Sequence, residues 1–163
     1  MTSPPDRHGA VYLIDDQIFV RTQESLRALS GRGVESYVVW VGELGDRKGW
    51  VRDVWPLNTE AGAYHARVAF AHVLALATRV EAKGWYILAQ LHTHPSEAFH
   101  SRVDDASPLS SQVGFISIVV PDFAQGEPLV GWAAYEHLGR GKWRRIAARE
   151  MRKRFREGPS LDL

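Results

Sequence analysis

Residues 85–95, WYILAQLHTHP, constrain the fold of this chain more than any other stretch. An apolar segment of strand length runs into two histidines one residue apart and is stopped by a proline. On a strand, side chains alternate between faces, so His92 and His94 project to the same side, about 6.5 Å apart along the backbone. Thr93 points the other way, a structural position. Pro95 cannot continue a sheet ladder and turns the chain away. The chain therefore needs a sheet with this strand inside it and two imidazoles at the strand's end.

The flanking sequence supplies the other elements. AVYLIDDQIFV reads as strand or hairpin material, and RTQESLRALSGRG as a short helix with Thr22 as N-cap and the Gly31/Gly33 region as its stop. ESYVVWVGEL is a buried strand, and GWVRDVWPL is its neighbour across the turn GDRKG. Residues 62 to 83 read as a helix, because Ala66, Phe70, Val73, Ala77 and Val80 recur every three or four residues, with Gly84 ending it. HSRVDDASPL is a loop passing into a short helix. GFISIVVPDF, PLVGWAAYEHL and KWRRIAA give three more strands, and REMRKRF a final helix. This pattern predicts an α/β fold, a mixed β-sheet flanked by helices.

At 163 residues the chain has length for one domain with a substantial core, and 45% apolar with 24% charged residues is an ordinary globular composition. The expected organisation is a flexible arm over residues 1–9, a domain over 10–147, and a basic helix and tail over 148–163. Residues 140–156 carry nine Lys/Arg against Glu150 alone, while the rest has 18 acids and 11 bases. A solvated helix with its arginine stems on the sheet explains that segment, and docking of an acidic partner is the functional alternative. No recognised motif or interleaved aromatics support nucleic acid binding. No run approaches the roughly 18 apolar residues of a membrane helix, and MTSPPDRHG lacks an apolar signal core, so no membrane role and a cytoplasmic location are expected.

Without cysteine, any metal must be held by histidine and carboxylate. His92 and His94 can converge on one ion, and Asp104 is a short loop away. Two nitrogens and one oxygen leave a fourth tetrahedral position for water, the arrangement of catalytic zinc. His100 could replace Asp104 in an all-histidine set, and two histidines with an aspartate could instead hold iron. A proton shuttle must come from elsewhere, since no carboxylate stands inside the histidine pair. Glu35, which opens an apolar strand where an acid is disfavoured, is the candidate. His8, His65, His72 and His137 carry no assigned role.

These residues, taken together, resemble the JAB/MPN (JAMM) zinc metalloproteases, whose pattern is an upstream Glu, then H-[ST]-H-P, then Ser-x-x-Asp. The matching positions are Glu35, with Gly42 seven residues on, His92-Thr93-His94-Pro95, and Ser101-Arg102-Val103-Asp104. The order of elements also agrees over residues 10–137. Five residues separate the proline from Ser101, where the common eukaryotic form has six. Asp105 stands beside Asp104, but the Ser-x-x-Asp spacing, one helical turn, selects Asp104.

The resemblance implies a single JAB/MPN-like (cytidine deaminase-like) domain of the prokaryotic type. One Zn2+ per chain would be held by His92, His94 and Asp104, with Glu35 as general base and acid and Ser101 donating to an oxyanion. The implied activity is a zinc isopeptidase cleaving after the C-terminal glycine of a ubiquitin-like protein, in deconjugation or precursor processing. The prokaryotic relatives are associated with E1/E2-like partners and antiviral defence. Two other readings stand beside it. One is a peptidase processing a sulfur-carrier protein in cysteine- or thiamine-type biosynthesis. The other is a non-catalytic MPN scaffold, against which stands the complete motif.

Overall fold

The computed structural model describes residues 3–31, 33–57, 59–62, 65–68, 70–99 and 109–158. Its centre is an eight-stranded mixed sheet. The strands are β1 (Val11–Ile14), β2 (Tyr37–Gly45), β3 (Lys48–Leu57), β6 (Tyr86–Thr93), β7 (Ile116–Val120), β8 (Ala133–Gly139), β9 (Lys142–Ile146) and β10 (Phe155–Glu157). They lie in the order β10-β1-β3-β2-β6-β7-β8-β9. The pairs β10/β1, β1/β3 and β6/β7 are parallel, and the others antiparallel. A separate hairpin joins β4 (Thr59–Gly62) and β5 (His65–Val68).

The strand β2 shows why the sheet is covered on both sides. Its residues alternate between two apolar clusters: Val38 and Trp40 belong to one, Val39 and Val41 to the other. All four are essentially inaccessible, as a near-continuous apolar run requires of a central strand. Helix α1 (Asp16–Leu29) supplies Ile18, Phe19 and Leu26 to the first cluster, and α2 (Phe70–Ala82) supplies Leu76 and Val80 to the second. Met151 of α3 (Ala148–Arg154) and Phe155 after it also pack on the first cluster. Among the described residues no helix is long and apolar enough to cross a membrane.

Two element boundaries differ from the sequence reading. The helix expected from Thr22 begins at Asp16, because the Asp15 side chain accepts the Gln17 N–H (2.8 Å) and caps it. Thr22 is buried in mid-helix, where its hydroxyl donates to the Ile18 carbonyl (2.6 Å) and accepts the Trp40 indole N–H (2.8 Å). The helix expected over 62–83 begins only at Phe70. Residues 65–68 pair instead with 59–62. Ala66 and Val68 also satisfy a period of two, so the apolar pattern does not separate strand from helix there. Gly84, at φ +66°, ends α2 in the left-handed region that favours glycine.

Two arginines of the basic C-terminal segment are paired internally. Arg144 donates to both oxygens of Glu150 (2.8 and 2.9 Å), and Arg154, nearly inaccessible, donates to the Ala10 carbonyl (2.9 Å) and pairs with buried Glu136. Strand β10 then adds to the sheet edge beside β1.

Candidate functional site

His92 ends up inside β6 and His94 just beyond its last residue, with 0% and 4% of their surfaces exposed. Strand parity turns both to one side, and their Nε2 atoms stand 3.2 Å apart. The His92 ring stacks on Tyr37 (centroids 4.8 Å, planes 15° apart), and the edge of Phe99 meets His94 at 4.8 Å. Stacking restricts rotation of each ring about its own bond, so the nitrogens are held in place by packing as well as by the strand.

Backbone bonds fix the turn after β6. The His94 N–H donates to Val120 (2.9 Å), the His94 carbonyl accepts from Phe123 (2.9 Å), and Ser96 accepts from Asp122 (3.0 Å). Asp122, Phe123 and Ala124 all have φ between 49° and 63°. A left-handed conformation in a residue with a side chain costs about 1–2 kcal/mol. Three in succession persist because the turn supplies donors to the carbonyls of the histidine loop.

Glu35 precedes β2, and register brings it to the same end of the sheet as the histidines. Tyr37 stands opposite His92, and one residue further the Thr93 N–H donates to the Ser36 carbonyl (3.1 Å). Glu35 is 7% exposed, a buried acid at the end of the strand that neighbours the histidines. Gly42 lies opposite a bulge in β3, where the register steps from Val41–Asp53 to Gly42–Val51, and a Cβ on it would lie 1.9 Å from the Trp50 carbonyl oxygen. The bulge shifts the pairing of β2 with β3.

Between the histidines, Thr93 faces away from them, as its parity demands. Its Oγ1 accepts the Ser36 N–H (2.9 Å) and lies 3.0 Å from Ser30 Oγ. Ser30 and Ser36 hydroxyls are 2.7 Å apart, and Ser36 donates on to the Leu26 carbonyl (3.0 Å). This buried hydroxyl cluster joins the end of α1, the entry to β2 and the end of β6. The sequence held no local signal for Ser30 and Ser36, which look like loop serines. Gln90, also buried, donates to Ser117 (3.1 Å) and accepts the Leu109 N–H (2.9 Å), which fixes the described chain at residue 109.

Ser101 and Asp104, and the alternatives His100 and Asp105, lie outside the described residues. Among the described residues no three potential metal ligands gather at one point. The histidine pair itself fits an ion. Two nitrogens about 2.0–2.1 Å from a tetrahedral zinc stand about 3.3–3.4 Å from each other, close to the separation found here.

No family model matches this chain. It is 31% identical over 131 residues to a protein of Sinorhizobium fredii named probable metalloprotease y4jG, covering 76% of this chain and 80% of that protein. Its fold is similar to the solution structure of protein DSY2949 from Desulfitobacterium hafniense, with a TM-score of 0.67 at 16% identity over 91% of this chain and 94% of that one. A Salinibacter ruber protein is similar at a TM-score of 0.58 and 15% identity, covering 93% and 95%. At these identities the two structures share the fold alone.

Proposed function

The chain belongs to the family of the probable metalloprotease y4jG, and on that premise we propose that it is a zinc-dependent peptidase of the JAB/MPN type. Its proposed task is hydrolysis of the bond after the C-terminal glycine of a ubiquitin-like protein. The observation that carries this reading is the buried pair of imidazole nitrogens 3.2 Å apart, with a buried acid on the adjoining strand end. Water attacks an amide slowly at neutral pH, so a hydrolase needs a means of activating water, a base and a stabiliser for the oxyanion.

His92, His94 and Asp104 would hold zinc, which when bound polarises a carbonyl and lowers the pKa of water. Glu35 would take one proton from the attacking water as its oxygen bonds to the carbonyl carbon. It would then deliver that proton to the amine nitrogen as the C–N bond breaks. Ser101 would donate its hydroxyl proton in a hydrogen bond to the carbonyl oxygen while that oxygen carries charge. Glu35 suits the role by its place, buried at the strand end that adjoins the histidines.

The test combines metal content and cleavage. Mass spectrometry of protein purified without chelators should find about one zinc per chain in the wild type, and His94→Ala and Asp104→Ala should lose zinc and activity together. Glu35→Gln should keep zinc and lose at least 100-fold in kcat on a ubiquitin-like protein extended beyond its terminal glycine. A wild type without metal would leave the histidines sharing a proton in a structural pair, and the peptidase reading would fall.

A further inference from the structure

A cavity lies at the end of β6 opposite the histidine pair. It has a volume of about 480 Å³ and is lined by Arg7, Val80, Trp85, Tyr86, Ile87 and Leu109, among others. Tyr86 and His92 are six residues apart on one strand, roughly 20 Å, so the cavity is separate from the histidine pair.

Arg7 makes this cavity unusual. It is 5% exposed and none of its contacts among the described residues is a carboxylate. Its Nη1 donates to the Ile87 carbonyl (2.7 Å), and its guanidinium faces the rings of Tyr86 and Phe115 at 6.0 and 5.8 Å. The buried Nε–H meets no acceptor there, and no acceptor meets Nη2. Nε is closed off, so Nη2, which also has no partner among the described residues, is the nitrogen that a carboxylate in the cavity can reach. Burial pulls the Arg7 pKa below the ordinary arginine value, as expected of a desolvated cation.

The fold places this arginine deliberately. Gly114, at φ +89°, has no room for a side chain, since a Cβ there would lie 2.4 Å from the Arg7 carbonyl carbon. The Gln112 side chain donates to the Pro5 carbonyl (3.3 Å), and the Arg47 N–H to Asp6 (2.8 Å). A buried cation without a counter-ion is costly, and an anion in the adjoining cavity would offset that cost. The walls are mostly apolar or aromatic. Glu81 also lines the cavity, and the Lys83 ammonium lies 4.7 Å over the Trp85 ring.

We propose that this cavity binds a small organic monocarboxylate with an apolar or aromatic body, its carboxylate pairing with Arg7 and its body against Trp85, Tyr86 and Leu109. The site is independent of peptidase activity.

The probe is 2-naphthoate, ionised at pH 7.5, with uncharged 2-naphthamide as its control, both titrated calorimetrically into the full chain. Naphthoate should bind saturably with one site per chain, and the amide at least tenfold more weakly. Arg7→Met should weaken naphthoate binding at least tenfold. Ala77→Trp, a larger side chain on the cavity wall, should do the same, and it carries the test alone if Arg7→Met fails to fold. Absence of saturable heat at millimolar naphthoate, equal affinity for the amide, or unchanged binding in Ala77→Trp would each overturn the proposal.

Discussion

Replacing Thr93 by valine keeps the shape of the side chain and removes one oxygen from the junction behind the histidines. That oxygen accepts the Ser36 N–H at 2.9 Å and pairs with Ser30 at 3.0 Å. The Ser30 and Ser36 hydroxyls remain 2.7 Å from each other and can satisfy one another. The uncompensated loss is therefore one buried backbone N–H, costing about 1–3 kcal/mol. Thr93→Ser keeps the acceptor and deletes one buried methyl, costing about 1 kcal/mol. Urea unfolding should order the proteins wild type, then Thr93→Ser, then Thr93→Val. At roughly 2 kcal/mol, Thr93→Val should lower Tm by about 4–8 °C in a domain of this size. Thr93→Val at least as stable as Thr93→Ser would refute the account, because the hydroxyl would then contribute nothing that a methyl cannot.

Glu150 gives a pH dependence. Two hydrogen bonds from Arg144 hold its carboxyl down to about 2, against an ordinary value of 4.5. A depressed pKa contributes stability that is fully present above pH 4.5 and lost as pH falls toward 2. The difference in urea midpoint between wild type and Glu150→Gln should therefore be constant near neutrality and shrink across that window. The effect is modest because the pair is partly solvated. Gly42→Ala should destabilise by about 1–3 kcal/mol or more, measured by the same unfolding, since its Cβ meets the Trp50 carbonyl at 1.9 Å and the bulge must shift. Stability within error of wild type would mean that the bulge relaxes freely.

The sheet was legible because its strands are apolar runs of the right length. Val38 to Val41 have to be buried on both faces, and only a central strand between helical layers does that. Boundaries were less legible where two periods fit one stretch, as at Ala66 and Val68, or where a cap hides in a doublet, as at Asp15-Asp16. His92 and His94 were legible from parity alone, since any strand turns both to one side. Glu35 stood out as an acid opening an apolar strand, but its place beside β6 was not legible, because it depends on Tyr37 pairing with His92 across strands distant in sequence. Ser30, Ser36 and Arg7 were invisible for the same reason. Their partners are Thr93, Leu26, Ile87 and Phe115, and no local pattern encodes contacts of that range.

The hydroxyl of Thr93, between the two histidines, has a physical reason in this arrangement. A strand that presents two imidazoles to one face must present the residue between them to the other. Here the opposite face meets the junction of α1 with β2, where the Ser36 N–H needs an acceptor. Alanine or valine at position 93 would leave that donor buried and unpaired. A longer polar side chain would collide with Ser30, 3.0 Å away. Only serine or threonine fits the volume and accepts the bond. The same bond pins Ser36 to β6 and so fixes the backbone beside Glu35. One side chain that points away from the site thereby sets the spacing between the acid and the histidine pair.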